Sequence, residues 1–390
     1  STKNAYLLSY QGAFIDLKQK EVLPTYPTGL HAGRRIIHQP DSKVLSQLIH
    51  TSSEFLAKQV NPNTGRFYYG WHPCFDRSID HYNTLRHASS VYAMLEAWGV
   101  TRSEQLLSSI EKAIDYVINT YVKTVTVDGR PHSFLTDMER EIKLGGTAAC
   151  LLMLCKYTEL VDSYKHLELS RQLALGVLYM QQVDASFVHV LNYPDLSIKE
   201  RFRVVYYDGE ALFALMRLYT IIKDQHVLET VEKSVDYFIE KNYWQYNDHW
   251  LAYAINELVS YKSDFKYYKL AIDNIKNHLG FILNRTTTFP TLLELAMATE
   301  KVISRLKEEN IHPSLLEGID LERFYRALHI RAAYLLNGYF WPEYAIYYKN
   351  PQRIVGSFFI RHHAFRVRID DVEHYLSGLI AYKKFIDSQH

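Results

Sequence analysis

The chain is poor in cysteine, with only Cys74, Cys150 and Cys155 among 390 residues. Three cysteines make no disulfide framework, and Cys150 and Cys155 fall in an apolar helical run where buried thiols are expected. Charge of one sign is also lacking. Lys and Arg number 44 against 43 Asp and Glu, which argues against general nucleic-acid binding, because that requires a concentrated basic surface. Apolar runs stop short of a membrane span, and no secretory leader is visible at Ser1. The chain reads as soluble, with the cytoplasm favoured and periplasm or secretion left open. No His-Glu-x-x-His occurs, and His81 and His87 miss the spacing of four that sets two imidazoles on adjacent turns. No metal centre and no cofactor are expected.

Tyrosine is abundant, with 31 residues. It suits half-buried walls with one wet end, sugar-binding clefts included. The stretch that organises the rest is Tyr206–Tyr219, YYDGEALFALMRLY. It is too apolar for a surface helix and too short for a membrane, so it reads as an inner helix with a polar head, Asp208 and Glu210.

The same pattern recurs. After an amphipathic helix over 42–60, apolar helices alternate with amphipathic ones. The apolar members are NTLRHASSVYAMLEAW, GGTAACLLMLCKY, DGEALFALMRLY, DHWLAYAINEL, FPTLLELAMATEK and RIDDVEHYLSGLIAY. Six apolar helices and five amphipathic followers close into six hairpins if 42–60 packs beside the last helix. The expected fold is all-α, an (α/α)6 toroid over 42–390 as one domain, with residues 1–41 as an N-terminal arm. Long loops fall before the inner helices, and several read as strand pairs, such as SFVHVLNY with RFRVVYY and YAIYYKN with FFIRHHAFRVRI. One face of the ring is then elaborated, and binding sites favour such a face.

This alternation resembles the six-hairpin toroids of carbohydrate-active proteins, which include glycoside hydrolases, uronyl hydrolases and sugar epimerases of the N-acylglucosamine 2-epimerase type. The resemblance covers residues 42–390 as architecture and carries over no catalytic residue. It implies a sugar or oligosaccharide as substrate. Terpene cyclases share the architecture but need a DxDD-type run, which is missing; prenyltransferases and lanthionine cyclases need zinc ligands, and Cys74, Cys150 and Cys155 do not show the Trp-Cys and Cys-His-Gly motifs of the latter.

Inner-helix starts converge at one mouth of such a ring. Glycoside cleavage needs two carboxyl groups, one protonated and one ionised. Glu210 and Asp371 are the proposed catalytic pair, with Asp208, His249 and His374 as alternates. Arg86, Lys143, Arg366 and Arg368 would hold an acidic or modified glycan. Tyr206, Tyr207, Trp71 and Trp250 would give stacking faces, and Asp80, His81, His87 and Asp248 complete the binding set. The plainer alternatives stand beside these roles. Asp80, Asp208, Asp248 and Asp370 each sit just before a helix, where Asp is a favoured cap. Arg366 and Arg368 fit a solvated hairpin, and the sequon Asn284-Arg285-Thr286 is short enough for chance. A glycoside hydrolase is the leading expectation. The alternatives are an epimerase using two of His81, His87, His249 and His374, and a non-catalytic glycan- or partner-binding toroid.

Overall fold

The computed structural model describes residues 6, 8, 10–17, 19–138 and 140–389. Part of the expected arm, residues 1–5, 7, 9 and 18, lies outside them. The helices in chain order are α1 (Ser42–Gln59), α2 (Thr84–Thr101), α3 (Glu104–Tyr121), α4 (Leu144–Val161), α5 (Leu167–Tyr179), α6 (Tyr206–Ile222), α7 (Gln225–Glu240), α8 (His249–Leu258), α9 (Phe265–Lys276), α10 (Leu279–Asn284), α11 (Thr291–Glu308), α12 (Pro313–Glu317), α13 (Leu321–Leu335), α14 (Pro342–Ala345), α15 (Pro351–Ile354) and α16 (Ile369–Ser388). The strands are short: β1 (Gly12–Asp16), β2 (Glu21–Thr25), β3 (Gly70–His72), β4 (Arg77–Ser78), β5 (Val122–Val127), β6 (Arg130–Leu135), β7 (Glu141–Lys143), β8 (Val190–Asn192), β9 (Ile198–Glu200) and β10 (Val367–Arg368).

The inner ring is α2, α4, α6, α8, α11 and α16. Each packs on the next, and α16 packs back on α2. Outside it, α3, α5, α7, α9 and α13 each follow and cover an inner helix, while α1 lies against α16 and α2. The fold is the expected (α/α)6 toroid, closed by α1 and α16. The sequence explains which helix goes where. Outer helix α3 buries Leu106, Ile110, Ala113, Ile114 and Val117, a single stripe at spacings of three and four. Inner helix α4 is apolar all round and buries fourteen of its eighteen residues. It has the length and hydropathy of a membrane span, yet 78% of it is buried within the ring. It is the one apolar run that does reach span length among the described residues.

Two inner-helix glycines set the closest approaches. A methyl group on Gly145 of α4 would strike Glu210 and Tyr207 of α6, and one on Gly209 would strike Asp248 and Leu251 of α8. The helix starts are thereby drawn together at the mouth. The small sheets gather there too. β10 pairs with β3, joining the segment before α16 to that before α2, and β7 pairs with β8, joining those before α4 and α6. Two strand expectations need correction. β8 pairs with Ile198–Glu200 rather than with RFRVVYY, whose tail becomes the first turn of α6. YAIYYKN holds part of α14 and turns instead of a strand, because Pro342 opens a helix at its first position.

Candidate functional site at the ring mouth

The mouth is built around one carboxylate, Glu294, carried one turn into α11 and 1% exposed. Its Oε2 lies 2.9 Å from His374 Nδ1 of α16 and 4.0 Å from His249 Nε2 of α8. Tyr253, on the same helix as His249, donates its hydroxyl to Oε1 at 3.2 Å. The two imidazoles face each other edge to face, 5.5 Å between ring centroids. They differ in setting. His249 is 3% exposed and its Nε2 has no hydrogen-bond partner. Burial, reinforced by the charge on His374, holds its pKa well below the usual imidazole value. The His374 side chain is a quarter exposed. Burial opposes its charge, but Glu373 and Glu294 beside it prevail and raise its pKa to about 10.

His249, Glu294 and His374 are also, among the described residues, the group whose donor atoms lie close enough to hold a metal ion, all within 4.8 Å. His374 Nδ1 already donates a hydrogen bond to Glu294 Oε2.

Around this group lies an excess of buried acid. Glu373 accepts from Ser89 Oγ at 2.6 Å, and burial lifts its pKa to about 7. Glu210 is buried with one oxygen unpartnered; burial first, then Asp248 and Glu373, push its pKa well above the carboxylate range. Asp248 caps α8, accepting from Trp250 N at 3.0 Å and Leu251 N at 3.1 Å, yet burial still raises it to about 8. Asp208 sits 3.3 Å from His189 Nε2, and burial raises it too.

Glu210 and Asp371, the expected pair, sit among different partners. The acids that weigh most on Glu210 are Asp248, Glu373 and Asp208. Asp371 is held by Arg366 at 3.1 Å and by Arg368 at 2.9 Å, and it accepts from the Arg368 backbone N–H at the start of α16. The four cations expected to grip an acidic substrate are each engaged by a carboxylate. Arg86 meets Asp370 at 3.0 Å, Arg368 meets Asp370 as well as Asp371, and Lys143 meets Asp137 and Glu141. Further candidates are core. His87 is fully buried, 2.7 Å from the Tyr82 hydroxyl and 2.8 Å from Ala113 O, because the turn of α2 that carries it faces α3. Trp250 is 6% exposed against Phe213 and Tyr253, and Tyr207 is buried as well. Tyr206 stays 39% exposed, edge-on to His249 at 5.7 Å. The caps also shift: Asn83, not Asp80, caps α2, and Asp208 and Asp370 fall inside the first turns of α6 and α16.

Beside the mouth opens a cleft of about 1690 Å3, lined by Trp71, Asp80, His81, Lys143 and Arg368 among others. Arg368 joins the two regions, since it lines the cleft and bonds Asp370. Sequence reasoning missed His189, Tyr253 and Ser89. It gave Glu294 no role either. Their significance arises from partners on other helices, which no local spacing displays.

No family model matches the chain, and no curated protein matches it. Solved structures do. The chain is similar to a cellobiose 2-epimerase from Bacillus thermoamylovorans, with a TM-score of 0.65 at 12% identity over 88% of this chain and 100% of that one. It is similar to a D-mannose isomerase, with a TM-score of 0.64 at 10% identity over 90% and 100%. A GH76 α-mannanase from Bacteroides thetaiotaomicron also superposes, with a TM-score of 0.62 at 12% identity over 88% and 97%. At these identities the shared property is the six-hairpin toroid.

Proposed function

We propose that the protein is a sugar epimerase, moving a proton at the carbon next to the carbonyl of an open-chain sugar. The observation that carries this reading is the facing pair His249 and His374 with Glu294 between them. Such chemistry needs two groups in opposite proton states, one to take the C2 proton and one to give a proton back. Here burial keeps His249 neutral, and two carboxylates keep His374 protonated. Glu294 fixes the His374 ring through Nδ1, which leaves Nε2 as the nitrogen that can give up a proton.

In the forward step His249 accepts the proton from C2, and the C–H electron pair moves into the C1–C2 bond as the carbonyl oxygen gains charge. His374 then delivers its Nε2 proton to the opposite face of C2. The electron pair returns to that new C–H bond, and the two imidazoles end with their proton states exchanged. The oxyanion forms where inner-helix N-termini converge, a setting that favours negative charge.

The hydrolase reading has less support, since Asp371 is committed to two arginines. The named neighbours include both chemistries on this ring, so fold alone does not choose. The test is to incubate the protein with reducing aldoses and disaccharides and follow the C2 epimer. His374→Asn and His249→Asn should each lower epimer formation by about 10²-fold or more with the fold retained. Wild-type rates in both variants would end the proposal.

A further inference from the structure

The cleft beside the mouth is larger than a single sugar needs, and part of its wall carries charge that no ion pair among the described residues neutralises. Where the C-terminal half of α1 and residues 66–71 face α15, the lining includes Lys58, Arg66 and Arg353. All three are exposed, and none forms an ion pair among the described residues. The carboxylates that line the cleft do not answer them. Glu141 is taken by Arg203 at 2.9 Å and by Lys199, and Asp137 by Lys143. Among the described residues Asp80 alone is left, accepting from Ser78 at 3.2 Å.

The two arginines are also presented in an ordered way. The Arg353 guanidinium lies 3.9 Å from the centre of the Trp71 ring, and Arg66 lies 4.5 Å from that of Tyr82. A guanidinium held flat on an aromatic face keeps its N–H edge free for a planar or tetrahedral anion and loses less freedom on binding it. Three uncompensated cations in a concave wall also focus a positive potential. Tyr68, 59% exposed in the same wall, offers a face for a sugar ring.

We propose that this wall is an anion subsite. It takes a carboxylate, sulfate or phosphate group on a sugar unit remote from the reacting end, so that the substrate is an acidic oligosaccharide with a neutral reducing terminus. The inference rests on the epimerase reading for which end reacts, but not for the subsite itself. It also assigns the acidic group to cations other than Arg86, Lys143, Arg366 and Arg368, whose charges are already met.

The experiment is a set of equilibrium binding titrations on the full chain, read by calorimetry so that turnover is not required. The ligands are a uronic-acid oligosaccharide, a sulfated one, a phosphorylated one and their neutral counterpart. At low salt at least one acidic ligand should bind about tenfold or more tighter than the neutral one. That preference should shrink as salt rises, and it should vanish in the double variant Arg66→Gln, Arg353→Gln, whose side chains are exposed and whose fold should hold. His374→Asn should keep it. Equal affinity for all four ligands, or a preference that survives the double variant, would overturn the subsite. A preference that disappears in that variant, in a protein that forms no epimer, would leave the subsite standing and remove only the epimerase reading.

Discussion

His374 is a cation held by two carboxylates, and His249 is its neutral counterpart. The pair sets a pH profile that differs from that of ordinary histidines. An unperturbed imidazole would titrate near 6.5. With His249 depressed well below that value and His374 raised to about 10, epimer formation should stay level through pH 6.5 and fall as pH rises toward 10. A rate–pH curve with its inflection at an ordinary imidazole value would contradict the pairing. Stability follows the same sign. His374 gains its partners on folding, so its contribution is full below about 6.5 and lost as pH rises through about 10. Glu210 gives a second test. Burial pushes its carboxyl well above the carboxylate range, toward the neutral form that Glu210→Gln mimics, so both melting temperature and epimer formation should stay close to wild type. A general acid would instead lose about 10²-fold or more. Asp371→Asn should cost about 3 kcal/mol in a denaturation curve, because Arg366 and Arg368 would lose their shared anion. At this scale the sequence showed which polar residues head the inner helices, His249 and His374 among them. It could not show that His87 turns toward Ala113, or that Glu294 joins two helices that are not neighbours in the ring.

Caps and glycines decide how the inner helices begin. Asp248 was open between cap and chemistry from its sequence position, and it does cap α8, accepting two backbone N–H groups. Asp248→Asn keeps an acceptor and should change thermal stability little, whereas Asp248→Ala should cost about 1 kcal/mol. Equal melting of the two variants would show that the cap contributes nothing. The alternation of apolar and striped helices was legible because an inner helix is covered on all sides and an outer one on a single side. The loops were harder. RFRVVYY has the alternation of a strand, but Arg203 is drawn to Glu141 and Glu200, and the tyrosines enter α6. Those contacts are tertiary, so they leave no periodic trace.

The whole ring is what makes the site. Glu294, His249 and His374 come from α11, α8 and α16, and only closure of the inner ring sets them within reach. Closure was readable by counting. Six apolar helices with five followers leave one partner missing, and α1 fills that place against α16. The chemistry was less readable, because a toroid offers many acids at its mouth and charge balance depends on which arginine meets which carboxylate. The measurement that addresses the central claim most directly is isotope exchange at C2. The protein would be incubated with reducing sugars in D2O and the C2–H signal followed by NMR. The account predicts deuterium at C2 of both the substrate's epimer and recovered substrate, with no deuterated epimer formed by His374→Asn. Release of new reducing ends from an oligosaccharide, with C2 still carrying its original hydrogen, would contradict it.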